Sequence, residues 1–172
     1  SRSPAPDLGN VLDELAGERF GTTGGPHARR AWTLMSDAFR QYPFNVSVIY
    51  TSPVQCGPAN PLHATNTGYK ATMWGIPYDA LDHWRGPYPR EVFAGQFEKV
   101  AAGWQRGLVE MEKAVAEAPK DRRHDAQADL ILARAAAIHF QSVANQARFI
   151  IARDALAQPN ALTVEASAKY RA

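Results

Sequence analysis

Residues Phe93, Phe97, Val100, Trp104, Leu108, Met111 and Val115 step along the chain by four, three, four, four, three and four. That spacing places them on one face of a single helix, begun after Pro89 and ended by Pro119. A second long helix follows from about Asp121 to about Ala157. Its apolar residues (Leu130, Ile131, Ala135, Ile138, Val143, Ala147, Ile150, Ile151) fall on more than one side, as in a helix central to a bundle. Pro159 and Asn160 close it, and a last helix begins near Ala161.

Two helices precede these. Leu8, Val11, Leu12, Leu15 and Ala16 have helical spacing, with Asp7 as N-cap and Gly21 as the residue just past the end. The next helix begins near Pro26, and its stripe is Ala28, Ala31, Trp32, Met35, Ala38, Phe39 and Tyr42. Only "NVSVIY", residues 45–50, alternates as a strand does. It reads as an extended segment, or as the edge of a sheet completed elsewhere. The expected fold is therefore mainly α: one domain over residues 1–172, a bundle of about five helices. A long, ordered, irregular loop over residues 43–89 interrupts it.

That loop is the candidate site. It holds seven of the chain's twelve prolines, and residues 42–88 hold eight of its seventeen aromatics. Connections longer than about 15 residues are uncommon in compact domains and are usually functional or disordered. Disordered segments are poor in aromatics, so an ordered loop is expected. Its densest part reads "GYKATMWGIPYDALDHWRGPYP". Trp74, Tyr78, Trp84 and Tyr88 offer flat apolar faces with polar handles. Gln55, Asn60, Asn66, Asp79, Asp82 and Arg85 offer hydrogen bonds. Together they suit a sugar, which has apolar C–H faces and hydroxyl edges. The expected binding residues are Gln55, Asn60, Trp74, Tyr78, Trp84, Arg85 and Tyr88. The plainer reading is that the aromatics pin the loop to the helices.

Asp79 and Asp82, three apart, form the candidate catalytic pair. Glycosidic bond cleavage uses two carboxylates, one as acid and one as base or nucleophile. Helix capping is the alternative for Asp79, and Glu91 and Glu98 are alternative partners. Cys56, His63 and His83 lack the short fixed spacing of a metal site, so none is expected. Cys56 reads as a small buried thiol and His139 as a core or boundary histidine. His27 and His124 read as surface residues near helix starts. No phosphate-binding glycine motif is present, and no cofactor is implied.

Charge and length remove other classes. The chain has 172 residues with a net charge of +2, too weak and dispersed for a nucleic-acid partner. Lys120, Arg122 and Arg123 are flanked by Asp121 and Asp125, as at a solvated helix start. No apolar run reaches membrane-spanning length. One cysteine leaves the compartment open and is compatible with a secreted or periplasmic protein. Asn45-Val46-Ser47 matches a glycosylation sequon, a pattern short enough to arise by chance. Both ends read as cut from a longer protein.

The runs "AWTLMSDAFRQYPFNVSVIYTSPVQCGPANPL", "GYKATMWGIPYDALDHWRGPYP" and "FEKVAAGWQRGL" resemble a region of large bacterial proteins of glycoside-hydrolase type. In that group, similar to α-glucuronidases and α-N-acetylglucosaminidases, a helical region follows a (β/α) barrel. The resemblance covers roughly residues 8–155 and carries no catalytic motif, so it assigns no catalytic residue. It implies a carbohydrate partner and an upstream barrel domain that holds the catalytic carboxylates on its strands. Three functions stay open: a carbohydrate-active hydrolase domain, a non-catalytic sugar-binding or barrel-packing module, and a helical interaction protein that self-associates or binds a partner.

Overall fold

The computed structural model describes residues 7–51, 62–70 and 79–157. The fold is mainly α, with four helices and no strand among the described residues. They are α1 (Leu8–Phe39), α2 (Val46–Thr51), α3 (Arg90–Glu117) and α4 (Arg123–Leu156), with a short 3-10 turn at Leu81–His83. The chain forms two compact units. One comprises Ser1–Gln41 and Val100–Ile138, the other Tyr42–Lys99 and His139–Ala172. The helix expected from Ala161 lies outside the described residues.

In the first unit, α1 starts as its sequence predicts. Asp7 has extended backbone, and its Oδ1 accepts the Asn10 N–H at 2.9 Å. The sequence separates two helices here, and the element Leu8–Phe39 is two helical stretches joined across a kink at Gly21. Gly21 has φ 77° and ψ 177°, a conformation open essentially to glycine alone. Helical structure resumes immediately after it, so the second stretch begins before Pro26.

The buried face of α1 is built from small residues: Ala16, Gly24, Gly25, Ala28, Ala31 and Ala38, with Phe20 and Met35 between them. It shares a core with Leu108, Met111, Ala114 and Val115 of α3 and with Ala126, Leu130, Ala133 and Ala137 of α4. The small residues allow close backbone approach. A Cβ on Gly24 would stand 2.6 Å from the Ala114 carbonyl oxygen, whereas one on Gly17 would meet nothing within 4 Å. Gly24→Ala is therefore expected to destabilise. Overpacking costs about 1–3 kcal/mol, which exceeds the gain in helix propensity of about 1 kcal/mol. Gly17→Ala is expected to stabilise by about 0.5–1 kcal/mol. Urea denaturation of the two variants should show midpoint shifts of opposite sign.

Polar bonds link the helices of this unit. Arg19 grips Asp129 with two bonds, Nε to Oδ2 at 2.7 Å and Nη2 to Oδ1 at 2.9 Å. Trp104 Nε1–H donates to the Ala133 carbonyl at 2.9 Å. His27, expected at the surface, is half-buried, with Nδ1 2.7 Å from Glu110 Oε2. Lys113, His27 and Arg30 hold the Glu110 carboxyl down at about 2, against an ordinary 4.5. A depressed folded pKa stabilises the fold above about 4.5, and the contribution is lost as pH falls through about 2. Glu110→Gln should thus be less stable than wild type at pH 7, and the gap should close by pH 2 in paired urea titrations.

In the second unit a run of rings forms the core. Tyr42 packs edge-on to Phe97 at 5.4 Å between centroids, Phe97 lies 5.0 Å from Phe93, and Phe93 lies 5.6 Å from Trp84. Val48, Leu81, Val143 and Ile150 are also buried here.

The expected strand at 45–50 is instead α2. Asn45 overrides the alternating pattern: its Oδ1 accepts the Ser47 N–H at 3.0 Å, and its carbonyl accepts the Ile49 N–H at 3.0 Å. An asparagine in that position starts a helix, and it explains the sequon as a cap. Gly86, at φ 63°, lies so close that a Cβ there would stand 2.9 Å from Asn45 Oδ1.

On α4, Leu130, Val143, Ala147 and Ile150 are buried as expected. Ile131 and Ile138 are mostly exposed, as is Leu132.

Candidate functional site

The described part of the irregular segment is fastened by a run of alternating charges within the second unit. Its start is Thr67, whose N–H and hydroxyl lie 3.2 and 3.4 Å from Asp79 Oδ2. The same oxygen accepts Arg153 Nη1 at 3.0 Å, and Arg153 Nη2 also donates to the Asp79 carbonyl at 2.7 Å. Arg153 turns its remaining edge to Asp154, with Nε and Nη2 3.0 and 2.8 Å from Oδ1. Asp154 Oδ2 accepts Arg90 Nη1 at 2.9 Å. Arg90 grips both oxygens of Asp82, and Arg85 Nε reaches Asp82 Oδ1 at 2.6 Å. Arg85 Nη1 then donates to the Tyr88 carbonyl, and the Tyr88 hydroxyl donates to the Phe44 carbonyl at 3.0 Å.

This run sets the surroundings of the two aspartates. Asp79 is 1% exposed and Arg153 6%, so theirs is a buried ion pair. Such a pair holds position because either charge alone would be very costly to bury. Asp79 does not cap the 3-10 turn, whose N-cap is Ala80 and which has no side-chain cap. Asp82 is half exposed, and hydrogen bonds from Arg90 first and Arg85 next hold its carboxyl well below the usual carboxylate range. A general acid must carry a proton near the working pH. The lowered Asp82 carboxyl favours the ionised form, which suits a base or nucleophile rather than an acid. Glu91 and Glu98 are likewise engaged, both by Arg148, and the Arg148 hydrogen bond holds the Glu98 carboxyl low.

The other expected residues separate into three groups. Trp84 is buried, 1% exposed, with its ring against Phe93 and so no face toward solvent. Arg85 and Tyr88 serve the run just described. Gln55, Asn60, Trp74 and Tyr78 lie outside the described residues, as does Cys56. Of the loop histidines, His83 is exposed, and His63 lies edge-on to Tyr69 at 5.7 Å. Tyr69, which the sequence reading did not select, is 63% exposed.

The segment 62–70 keeps its shape by local bonds. Asn66 Oδ1 accepts the Gly68 N–H at 3.0 Å, and Thr67 Oγ1 accepts the Tyr69 N–H at 3.2 Å. Gly68 supplies the positive φ, 67°, that the turn requires. So folded, the segment forms one wall of a cleft of about 510 Å³, with Ala64 and Thr65 on one side. Phe149, Ala152, Arg153 and Leu156 of α4 line the other. That volume lies within the range of small-ligand sites.

The first unit carries a cleft of about 530 Å³ lined by Trp32, Met35, Ser36, Phe39 and Trp104. Among the described residues Ser36 supplies its one hydroxyl, and the Trp104 N–H donates to the Ala133 carbonyl.

Arg90, Arg153 and Asp154 were not selected from the sequence. Asp82 and Arg85, three apart, carried a readable pairing signal. Arg153 and Asp79 are 74 positions apart, and no local spacing marks them.

Among the described residues no group of three or more His, Cys, Asp or Glu side chains is arranged to hold a metal. No helix there is long and apolar enough to cross a membrane. No family model, curated protein or solved structure matches the chain.

Proposed function

We propose that the chain is a non-catalytic, carbohydrate-binding helical module of a carbohydrate-active protein of glycoside-hydrolase type. The observation that carries the non-catalytic reading is the closed run of ion pairs. Asp79 is sealed in its ion pair and two arginines hold Asp82 ionised, so neither is set up as the proton-donating acid that glycosidic cleavage requires. The bond-breaking carboxylates then lie on another domain, such as the barrel the resemblance implies. The sugar reading is supported by the clamped segment beside a ligand-sized cleft, with Phe149 in its wall and the exposed Tyr69 on the same segment.

The test is a panel of oligosaccharides and aryl glycosides incubated with the chain. Saccharide binding without release of the aryl group is expected, in wild type and in Asp82→Asn alike. Turnover by wild type that disappears in Asp82→Asn would restore a catalytic role. No binding to any saccharide would remove the carbohydrate reading.

One observation favours a second reading, an interaction domain. Ile131, Leu132 and Ile138 on α4 are 59%, 72% and 63% exposed, an apolar face of the kind that contacts proteins. Sedimentation that stays monomeric over a wide concentration range would count against self-association through it.

A further inference from the structure

We infer that the cleft between residues 64–65 and α4 holds one sugar ring, with a ring hydroxyl completing the Asp79–Arg153 pair. The inference rests on the carbohydrate reading and adds its location and its chemistry. Three observations carry it.

The first is an unfilled pair of hydrogen-bonding sites. A guanidinium has five N–H groups. Four of those on Arg153 are engaged, on Nε, Nη1 and both positions of Nη2. The second N–H of Nη1 has no partner among the described residues. On the acceptor side, Asp79 Oδ1 is buried and also lacks a partner among them. An unused donor and an unused acceptor therefore belong to the two partners of one ion pair. A hydroxyl accepts and donates at once, so a single hydroxyl satisfies both. An ionised carboxylate or a fully ionised phosphate only accepts, and an ammonium only donates.

The second observation is the cleft itself. Arg153 belongs both to its lining and to the ion pair. The Phe149 ring, 38% exposed, offers a flat face, and the Thr65 side chain adds a second hydroxyl partner. A ring with C–H bonds on its face and hydroxyls at its edge fits that combination.

The third concerns access. Asp79 Oδ1 is closed to solvent in the free protein. Thr67 of the 62–70 segment holds the same carboxylate, through Oδ2, by bonds of 3.2 and 3.4 Å. These are longer than the Arg153 bonds of 2.7 and 3.0 Å to the same residue. A small outward shift of the segment admits the hydroxyl and leaves the ion pair intact. Asp79 is then a positioning residue for both wall and ligand.

The experiment is a titration of the whole chain with the methyl glycosides of xylose, glucose, N-acetylglucosamine and glucuronic acid. It is followed by amide chemical shifts in wild type, Phe149→Ala and Thr65→Val. Both substituted side chains are partly exposed, and retained α-helical circular dichroism confirms that each variant is folded. The expected result is shift changes clustered at Ala64, Thr65, Ala152 and Arg153. Affinity should weaken at least tenfold in Phe149→Ala and severalfold in Thr65→Val. Binding that shifts other residues and ignores both substitutions overturns this site while the carbohydrate reading stands. An absence of binding by every glycoside, and by the oligosaccharide panel as well, overturns both.

Discussion

Arg153→Leu should lower the unfolding free energy by about 3–5 kcal/mol, the usual result of removing one partner from a buried ion pair. The reason lies in what remains. Asp79 would keep its place at 1% exposure with no cation beside it. Its carbonyl and Oδ2 would also lose the donors at 2.7 and 3.0 Å. Asp79→Asn should cost less, because an amide oxygen still accepts from Arg153 and Thr67 while the buried negative charge is gone. The double variant Asp79→Leu/Arg153→Leu should be more stable than Arg153→Leu alone, since two apolar groups leave no orphaned charge. Urea denaturation of the four proteins closes the cycle. A cost below about 1 kcal/mol for Arg153→Leu, the level of a surface pair, would mean that the pair is solvated.

The second large effect belongs to Trp84. Removing a fully buried large aromatic costs about 3–5 kcal/mol, and Trp84→Ala should reach that range. Its ring packs on Phe93, which packs on Phe97, so the loss opens one end of a continuous stack. Trp84→Phe should cost far less than the alanine variant. The indole N–H has no partner among the described residues, so phenylalanine forfeits no hydrogen bond. Thermal denaturation of both variants distinguishes a core role from a ligand-facing one. A Trp84→Ala protein as stable as wild type would place the indole at the surface.

The helices were legible because each rests on local information. Asp7, Gly21, Pro89 and Pro119 mark ends that the chain respects, and the 93–115 stripe has a helical period over its full length. Phe93, Phe97, Val100, Leu108, Met111 and Val115 of that stripe are all buried. The strand expected at 45–50 failed for a local reason of another kind. Alternation over six residues is weaker than one well-placed capping asparagine.

The site was legible in part. Composition singled out the segment, but residue type alone did not separate an aromatic packed in the core from one left exposed. Trp84 and Tyr69 show the two outcomes, one sealed and one exposed. Nor did spacing disclose that Asp79 belongs to Arg153. That pairing depends on how α4 packs against the segment, and no periodicity encodes it.

The central claim is that Asp79, held by Arg153, clamps the 62–70 segment in place. Hydrogen exchange at the Thr67 amide tests it most directly, because that N–H donates to Asp79 Oδ2 at 3.2 Å. The account predicts a protected Thr67 amide in wild type and fast exchange in Arg153→Leu, under conditions where both remain folded. Equal exchange in the two proteins would contradict it.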